Sequence, residues 1–168
     1  QNGASNVLSG TTYFDRGQDV YVVVTPNDGL DDGSSLNSAI TVVLNTAPTA
    51  PSVSITPDPA SAGSDDLTCS VDTPSIDDDG DSVVYTYVWT DDLGTVQQTT
   101  TEVADTSDVY LASGTSEGTW TCEVTPYDGM DYGQSSSTTA IVDDTCESLY
   151  FDQSSYIHTN DSSALALP

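Results

Sequence analysis

Apolar and polar residues alternate in short runs along most of this chain. Val20, Val22 and Val24 alternate with Tyr21 and Val23, the two-residue period of a half-buried strand. The fullest series of such runs lies between residues 52 and 142. A run at 52–56 is halted by Pro57-Asp58-Pro59, and the next, at 66–71, turns Leu67, Cys69 and Val71 inward. Residues 82–90 put Val83, Tyr85, Tyr87 and Trp89 on one face. Weaker runs follow near 95–100 and 108–112. Residues 119–125 then align Trp120, Cys122 and Val124, and 135–142 form the last run. Seven short strands separated by turn residues predict an all-β sandwich rather than a helical fold.

The pattern also repeats. TWTCEVTPYDG at 119–129 aligns without a gap on DVYVVVTPNDG at 19–29, at an offset of 100 residues. A repeat of this length is a sandwich domain, not a solenoid unit. Residues 1–45 therefore read as the C-terminal part of one sandwich. A strand runs through 20–24, an acidic turn spans Asn27 to Gly33, and a last strand at 39–44 places Ile40, Val42 and Leu44 on one face. Two or three strands cannot bury a core alone. Residues 46–51, within NTAPTAP, form a short and fairly stiff Pro-containing linker. Residues 52–142 read as a complete sandwich. Residues 143–168 leave the repeat as a tail with two short strands, 149–151 and 155–158. The chain opens on Gln1 without an initiator Met, so a processed or excerpted piece of something longer is expected.

Charge narrows the function. Twenty-seven acidic residues face a single base, Arg16, for a net charge of −26. That excludes a nucleic-acid footprint, which needs clustered Lys and Arg, and it disfavours anionic membrane. No apolar run is long enough for membrane insertion. The acids gather in turns, where self-repulsion calls for screening by salt or divalent cations. Three cysteines, two of them at sandwich positions, point to an oxidising compartment, hence an extracellular or cell-surface setting.

Cys69, Trp89 and Cys122 stand in the order and rough spacing of immunoglobulin-like domains. The resemblance implies a Cys69–Cys122 disulfide bridging the sheets over Trp89, with Trp89 and Trp120 in the core. Trp120 occupies the place, two residues before the second cysteine, where antibody domains keep a corner tyrosine. A leading APTAP, a cysteine, a DDDGD loop, a YxW strand and WTCEVTPxDG together resemble the Ig-like or PKD-like repeats of large secreted bacterial surface proteins. The resemblance covers residues 46–142, with 1–45 as the end of a preceding copy. That earlier copy has Val20 and Val22 in place of Trp120 and Cys122, so it lacks the cystine. In the tail, SLYFDxSSYI…DSSALAL resembles the opening of laminin-G or concanavalin-A-like jelly rolls, which bind glycans or protein ligands.

Candidate chemistry is sparse. Asp77, Asp79 and Asp81, with Gly80 to turn the backbone, can converge on Ca²⁺, and the loop resembles those of Ca²⁺-stabilised repeats. The EF-hand pattern is not met, and a plain acidic turn is the other reading. Asp28, Asp31, Asp32, Asp128 and Asp131 fit Asx-turn chemistry. Asp65, Asp66, Asp91 and Asp92 read as solvated turn residues. One histidine, His158, and no lysine leave little material for acid–base or nucleophilic catalysis. Cys146 is a free thiol, a bridge outside this chain or a link between chains, and Asn160-Asp161-Ser162 is a glycosylation sequon.

The expected function is a non-enzymatic extracellular module: a rigid acidic stalk or filament subunit of Ig-like repeats, stiffened by Ca²⁺. Its partners would be other copies or neighbouring repeats, joined by strand complementation with Leu149, Tyr150, Phe151, Tyr156 and Ile157 as donors. Two alternatives are a surface adhesin with a truncated glycan-binding jelly roll and a spacer in a secreted polysaccharide-degrading enzyme.

Overall fold

The computed structural model of the chain describes residues 7–9 and 13–144, and the strands in them follow the alternation. The first four strands are short: β1 (Asp19–Val20), β2 (Val23–Val24), β3 (Leu36–Asn37) and β4 (Thr41–Val42). Eight more follow: β5 (Ser52–Thr56), β6 (Ala60–Ser61), β7 (Leu67–Thr73), β8 (Val84–Thr90), β9 (Val96–Val103), β10 (Ser107–Tyr110), β11 (Gly118–Tyr127) and β12 (Ser136–Asp143).

Strands β5 to β12 form an immunoglobulin-like sandwich. One sheet has the order β10-β7-β5, the other β6-β12-β11-β8-β9. Alternate residues turn inward from each: Leu67, Cys69 and Val71 from β7, Tyr85, Tyr87 and Trp89 from β8, Trp120, Cys122 and Val124 from β11, Ala140 and Val142 from β12. These inward side chains supply the apolar burial that drives the fold. Cys69 and Cys122, on opposite sheets, form a disulfide with Cα atoms 6.4 Å apart. The Tyr110 ring lies 6.0 Å from Trp89 and 4.6 Å from Trp120, so three aromatics pack as a row.

Each large polar aromatic in this core finds a partner, as burial demands. Trp89 Nε1 donates to Asp108 Oδ2 at 2.7 Å, and the Tyr87 hydroxyl donates to the Asp105 carbonyl at 2.9 Å. Burial, together with the charges nearby, pushes the Tyr87 phenol up to about 12. Trp120 Nε1 donates to the Ser116 carbonyl, four residues upstream, at 2.9 Å. The indole thus makes the backward bond that a corner tyrosine makes through its hydroxyl.

Three elements of this sandwich depart from the sequence reading. Pro57-Asp58-Pro59 does not simply end the first strand. It carries the chain, through two cis X-Pro peptides, from β5 in one sheet to β6 in the other, where β6 runs parallel to β12. The weak run near 95–100 is the eight-residue β9, which includes a bulge. Tyr85 and Tyr87 face Val103 and Thr100, so two steps on β8 match three on β9, and Glu102 takes φ 52°. The run expected at 108–112 ends at Tyr110, and a 3₁₀ turn spans Ala112–Gly114.

Among the described residues the earlier copy forms a hairpin. Val23 and Val24 face Asn37 and Leu36, the register that joins β11 to β12 in the second copy. Farther along, Asp19 and Val20 face Val42 and Thr41. Between the ladders the Ser38 N–H donates to the Val22 carbonyl, and the Ser38 hydroxyl accepts from the Val22 N–H. Two steps from Val22 to Val20 therefore match three from Ser38 to Thr41. A bulge at Ala39–Ile40 splits the strand expected at 39–44. Val22 and Val24 are 59% and 60% exposed, whereas their counterparts Cys122 and Val124 are fully buried. No sheet among the described residues covers this hairpin.

Candidate functional site

The most structured polar assembly in the described residues is the junction between the two copies, and it starts from a turn. At the end of β11, residues 126–133 close a loop in which the Gly133 N–H donates to the Pro126 carbonyl at 2.9 Å. Asp128 Oδ1 accepts from the Met130 and Asp131 N–H groups, each at 2.7 Å, while Gly129 takes the left-handed conformation at φ 96°. The earlier copy reproduces this. Gly33 N–H donates to the Pro26 carbonyl at 2.7 Å, Asp28 Oδ1 accepts from the Leu30 and Asp31 N–H groups at 3.0 Å, and Gly29 also has φ 96°. Asx-turn chemistry accounts for both aspartates.

The mouths of the two loops differ. Tyr127 and Tyr132 stack at 4.4 Å across one, and the Tyr132 hydroxyl donates to Glu102. Across the other, the Asn27 side-chain amide donates to Asp32 at 2.7 Å.

The linker docks on the second loop. Asn45 Nδ2 donates to Asp128 Oδ2 and to Asp131 Oδ2, both at 2.8 Å, and its Oδ1 accepts from Arg16 at 2.7 Å. Arg16 in turn grips the Asp81 carboxylate with both terminal guanidinium nitrogens, Nη2 at 3.2 Å. Thr46 N–H donates to Asp79 Oδ2 at 2.7 Å. Thr49 exchanges hydrogen bonds with the Ile76 main chain, its N–H donating at 2.9 Å and its hydroxyl accepting at 2.8 Å. Pro48 is buried, and its carbonyl oxygen lies 2.1 Å from where a Cβ on Gly133 would stand. Only glycine admits the linker there.

Electrostatics follow from these contacts. Burial pushes the Asp128 carboxyl up. The Asp131 and Met130 N–H groups and the Asn45 amide outweigh that and hold it below the usual range. Backbone N–H groups of Asp31 and Leu30 lower Asp28 likewise. Hydrogen bonding to Asp81, helped by the negative charges of Asp81, Asp79 and Asp128, raises the Arg16 guanidinium.

The three carboxylates read as a calcium loop take separate partners. Asp77 Oδ1 accepts from the Asp79 and Asp81 N–H groups, Asp79 holds the Thr46 N–H, and Asp81 holds Arg16. Asp77 Oδ2 is buried without a partner. Among the described residues no three His, Cys, Asp or Glu side chains group so as to hold a metal ion. The set as placed does not fit a Ca²⁺ cage.

Other aspartates do more than solvate turns. Asp65 accepts from the Ser61 N–H, Asp66 from the Ala112 N–H across 46 residues, and Asp91 from the Leu93 and Thr95 N–H groups. Bonding to the Thr95 main chain leads the lowering of the Asp91 carboxyl. Leu149, Tyr150, Phe151, Tyr156 and Ile157, proposed as strand donors, lie outside the described residues, as do Cys146, His158 and Asn160.

Sequence reasoning missed Asn45 and Arg16 as the hub of the junction. The available signals were that Arg16 is the sole base and that Asn45 is the residue leading into the proline linker.

No protein-family model and no curated protein matches this sequence. Among solved structures, the chain is similar to the rat CD45 extracellular region, domains d3–d4. Identity is 13% over 84% of this chain and 73% of that one, with a TM-score of 0.49. It is also similar to the FN1–FN3 domains of chicken CNTN1, at 17% identity over 66% of this chain and 39% of that one, with a TM-score of 0.41. No helix among the described residues is long and apolar enough to cross a membrane.

Proposed function

We propose that this chain is a non-enzymatic extracellular structural module, a stretch of an acidic stalk or filament built from Ig-like repeats. The observation that carries the reading is the docked linker. Asn45, Arg16, Thr46, Thr49 and Pro48 all bind the second sandwich, so the earlier copy leaves it in one direction rather than on a loose tether. A free linker of this length would sample many orientations. Relation to the Ig-like or PKD-like repeats of secreted bacterial surface proteins is part of the same reading. An inter-sheet disulfide supports an oxidising compartment.

The exposed apolar face of the hairpin favours completion by further strands, from a neighbouring repeat or another copy. Calcium would stiffen the array by screening the acidic loops, in competition with Arg16 at Asp81. Electron microscopy of the native material with its intact mass tests the proposal. Extended, regularly beaded particles are expected, and compact particles of single-chain mass would overturn it.

A further inference from the structure

A pocket of about 320 Å³ opens in the earlier copy, lined by Pro26, Asn27, Asp28, Asp31, Asp32 and Gly33. Its counterpart in the second copy is the site that the linker fills. The backbone of the two loops matches bond for bond, from the Pro–Gly closure to the Asx turn. In the second copy the paired carboxylates of Asp128 and Asp131 hold an asparagine amide, and a proline carbonyl rests on Gly133. In the earlier copy Asp28 and Asp31 stand at the same places on the turn. The three atoms nearest a Cβ on Gly33 all belong to Pro26, whereas Pro48 is nearest on Gly133, so among the described residues no linker lies against Gly33 as Pro48 does against Gly133.

We infer that residues 26–33 form a docking socket for an Asn-Thr-Ala-Pro type of linker segment carried by a neighbouring repeat. The asparagine amide would donate to Asp28 and Asp31, and the proline carbonyl would lie over Gly33. Asp32, which replaces Tyr132, adds a third carboxylate to the wall. The socket therefore selects a neutral amide donor and rejects an aspartate, by like-charge repulsion. A second copy of this chain is the weaker occupant, because its own Asn45 is already engaged within its chain. The inference rests on the reading of the chain as tandem modules and extends it: each joint would repeat the same lock.

The test is titration of the isotope-labelled chain with the capped peptide NTAPTAP, following amide NMR shifts. Saturable shifts at Leu30, Asp31 and Gly33 are expected at about millimolar peptide, the effective concentration that a short tether supplies. The peptide DTAPTAP should bind at least about tenfold more weakly. The variant Asp31→Ala should lose the shifts, since Asp31 supports the turn through its main-chain carbonyl and the fold survives. Silence at about 10 mM peptide, equal shifts with DTAPTAP, or shifts confined to Gly133 and Thr46 would overturn the inference. Oligomers abolished by Asn45→Ala would do so too, by assigning the socket to a second copy. Failure of the stalk reading would appear in the micrographs, not in this titration.

Discussion

Asn45 and Asp128 stand 83 residues apart in sequence and are joined by a 2.8 Å hydrogen bond. That bond ties the linker to the turn between β11 and β12. The same carboxamide accepts from Arg16, so the only base in a chain of net charge −26 sits where carboxylates from two loops converge. Neutralising repulsion at one chosen point fixes geometry there, while the rest of the acidic surface stays solvated.

Replacing Asn45 tests this directly. Asn45→Ala removes the amide that satisfies two carboxylates and should weaken linker docking by about 1 kcal/mol, a bond to a charged group discounted for partial exposure. Hydrogen exchange at the Thr46 and Thr49 amides should speed up roughly fivefold. The β8 and β11 amides should not change. Asn45→Asp should go further, since a third carboxylate then faces two. Unchanged exchange at Thr46 in both variants would refute the joint.

The cystine is a separate contributor. Cys69 and Cys122 are 53 residues apart, and closing such a loop is worth about 4 kcal/mol in the chain-entropy model. The double substitution to Ala should lower unfolding stability by about that amount, read from denaturant midpoints at constant slope. A loss below about 1 kcal/mol would mean that packing around Trp89 and Trp120 carries the sandwich unaided.

Much of the sandwich was legible in the sequence because its signals are local. Leu67, Cys69, Tyr87, Trp89, Trp120 and Cys122 each sit in an alternating run, and burial follows that alternation. What escaped is non-local. The crossing of Pro57-Asp58-Pro59 between sheets depends on β12, where Val142 pairs with Ala60. The bulge at Glu102 depends on β8, and the role of Asn45 depends on a turn it meets only after folding. The partners of the aspartates escape for the same reason. Asp77, Asp79 and Asp81 alternate as calcium ligands would, but Asp77 Oδ1 and Asp79 Oδ2 hold main-chain N–H groups and Asp81 holds Arg16, which no spacing records.

Acid should loosen the turn before it unfolds the core. The Asp128 carboxyl lies below its ordinary 3.8 in the folded state, as do Asp28 and Asp91. A depressed folded value means stability that is complete above 3.8 and lost as pH falls through the folded value. Asp128→Asn keeps an oxygen for the Met130 and Asp131 N–H groups but loses the charge. The variant should therefore be less stable than the parent at neutral pH, and the gap should shrink as pH falls below 3.8 through the folded value. A gap that is constant over that range would show that the charge contributes nothing.

Arg16 holds the Asp81 carboxylate that a calcium ion at this loop would need. A cation at residues 77–81 has to displace the guanidinium, so Arg16→Gln should free the loop. Calcium at about 1 mM should then raise the melting temperature of the variant more than that of the parent, at matched ionic strength. Equal shifts in the two proteins would remove this loop as a calcium-binding element.

The two equivalent glycines offer the sharpest comparison, because the same substitution meets different surroundings. A Cβ on Gly133 would lie 2.1 Å from the Pro48 carbonyl oxygen and 2.9 Å from Pro126 Cγ, a clash in which one partner is backbone. Relief requires the linker to lift, breaking the Asn45 and Thr46 bonds with it. On Gly33 the nearest atom is Pro26 Cγ at 2.8 Å, and the pocket beside it lets the ring shift. Gly133→Ala should therefore cost about 1–3 kcal/mol, in the range of overpacking, and release Thr46 to exchange. Gly33→Ala should cost less than about 1 kcal/mol, with no change at Thr46. It should also weaken NTAPTAP binding, because the new methyl occupies the place assigned to the proline carbonyl. Equal effects of the two substitutions on Thr46 exchange would mean that Pro48 does not rest on Gly133, and the lock would fail with it.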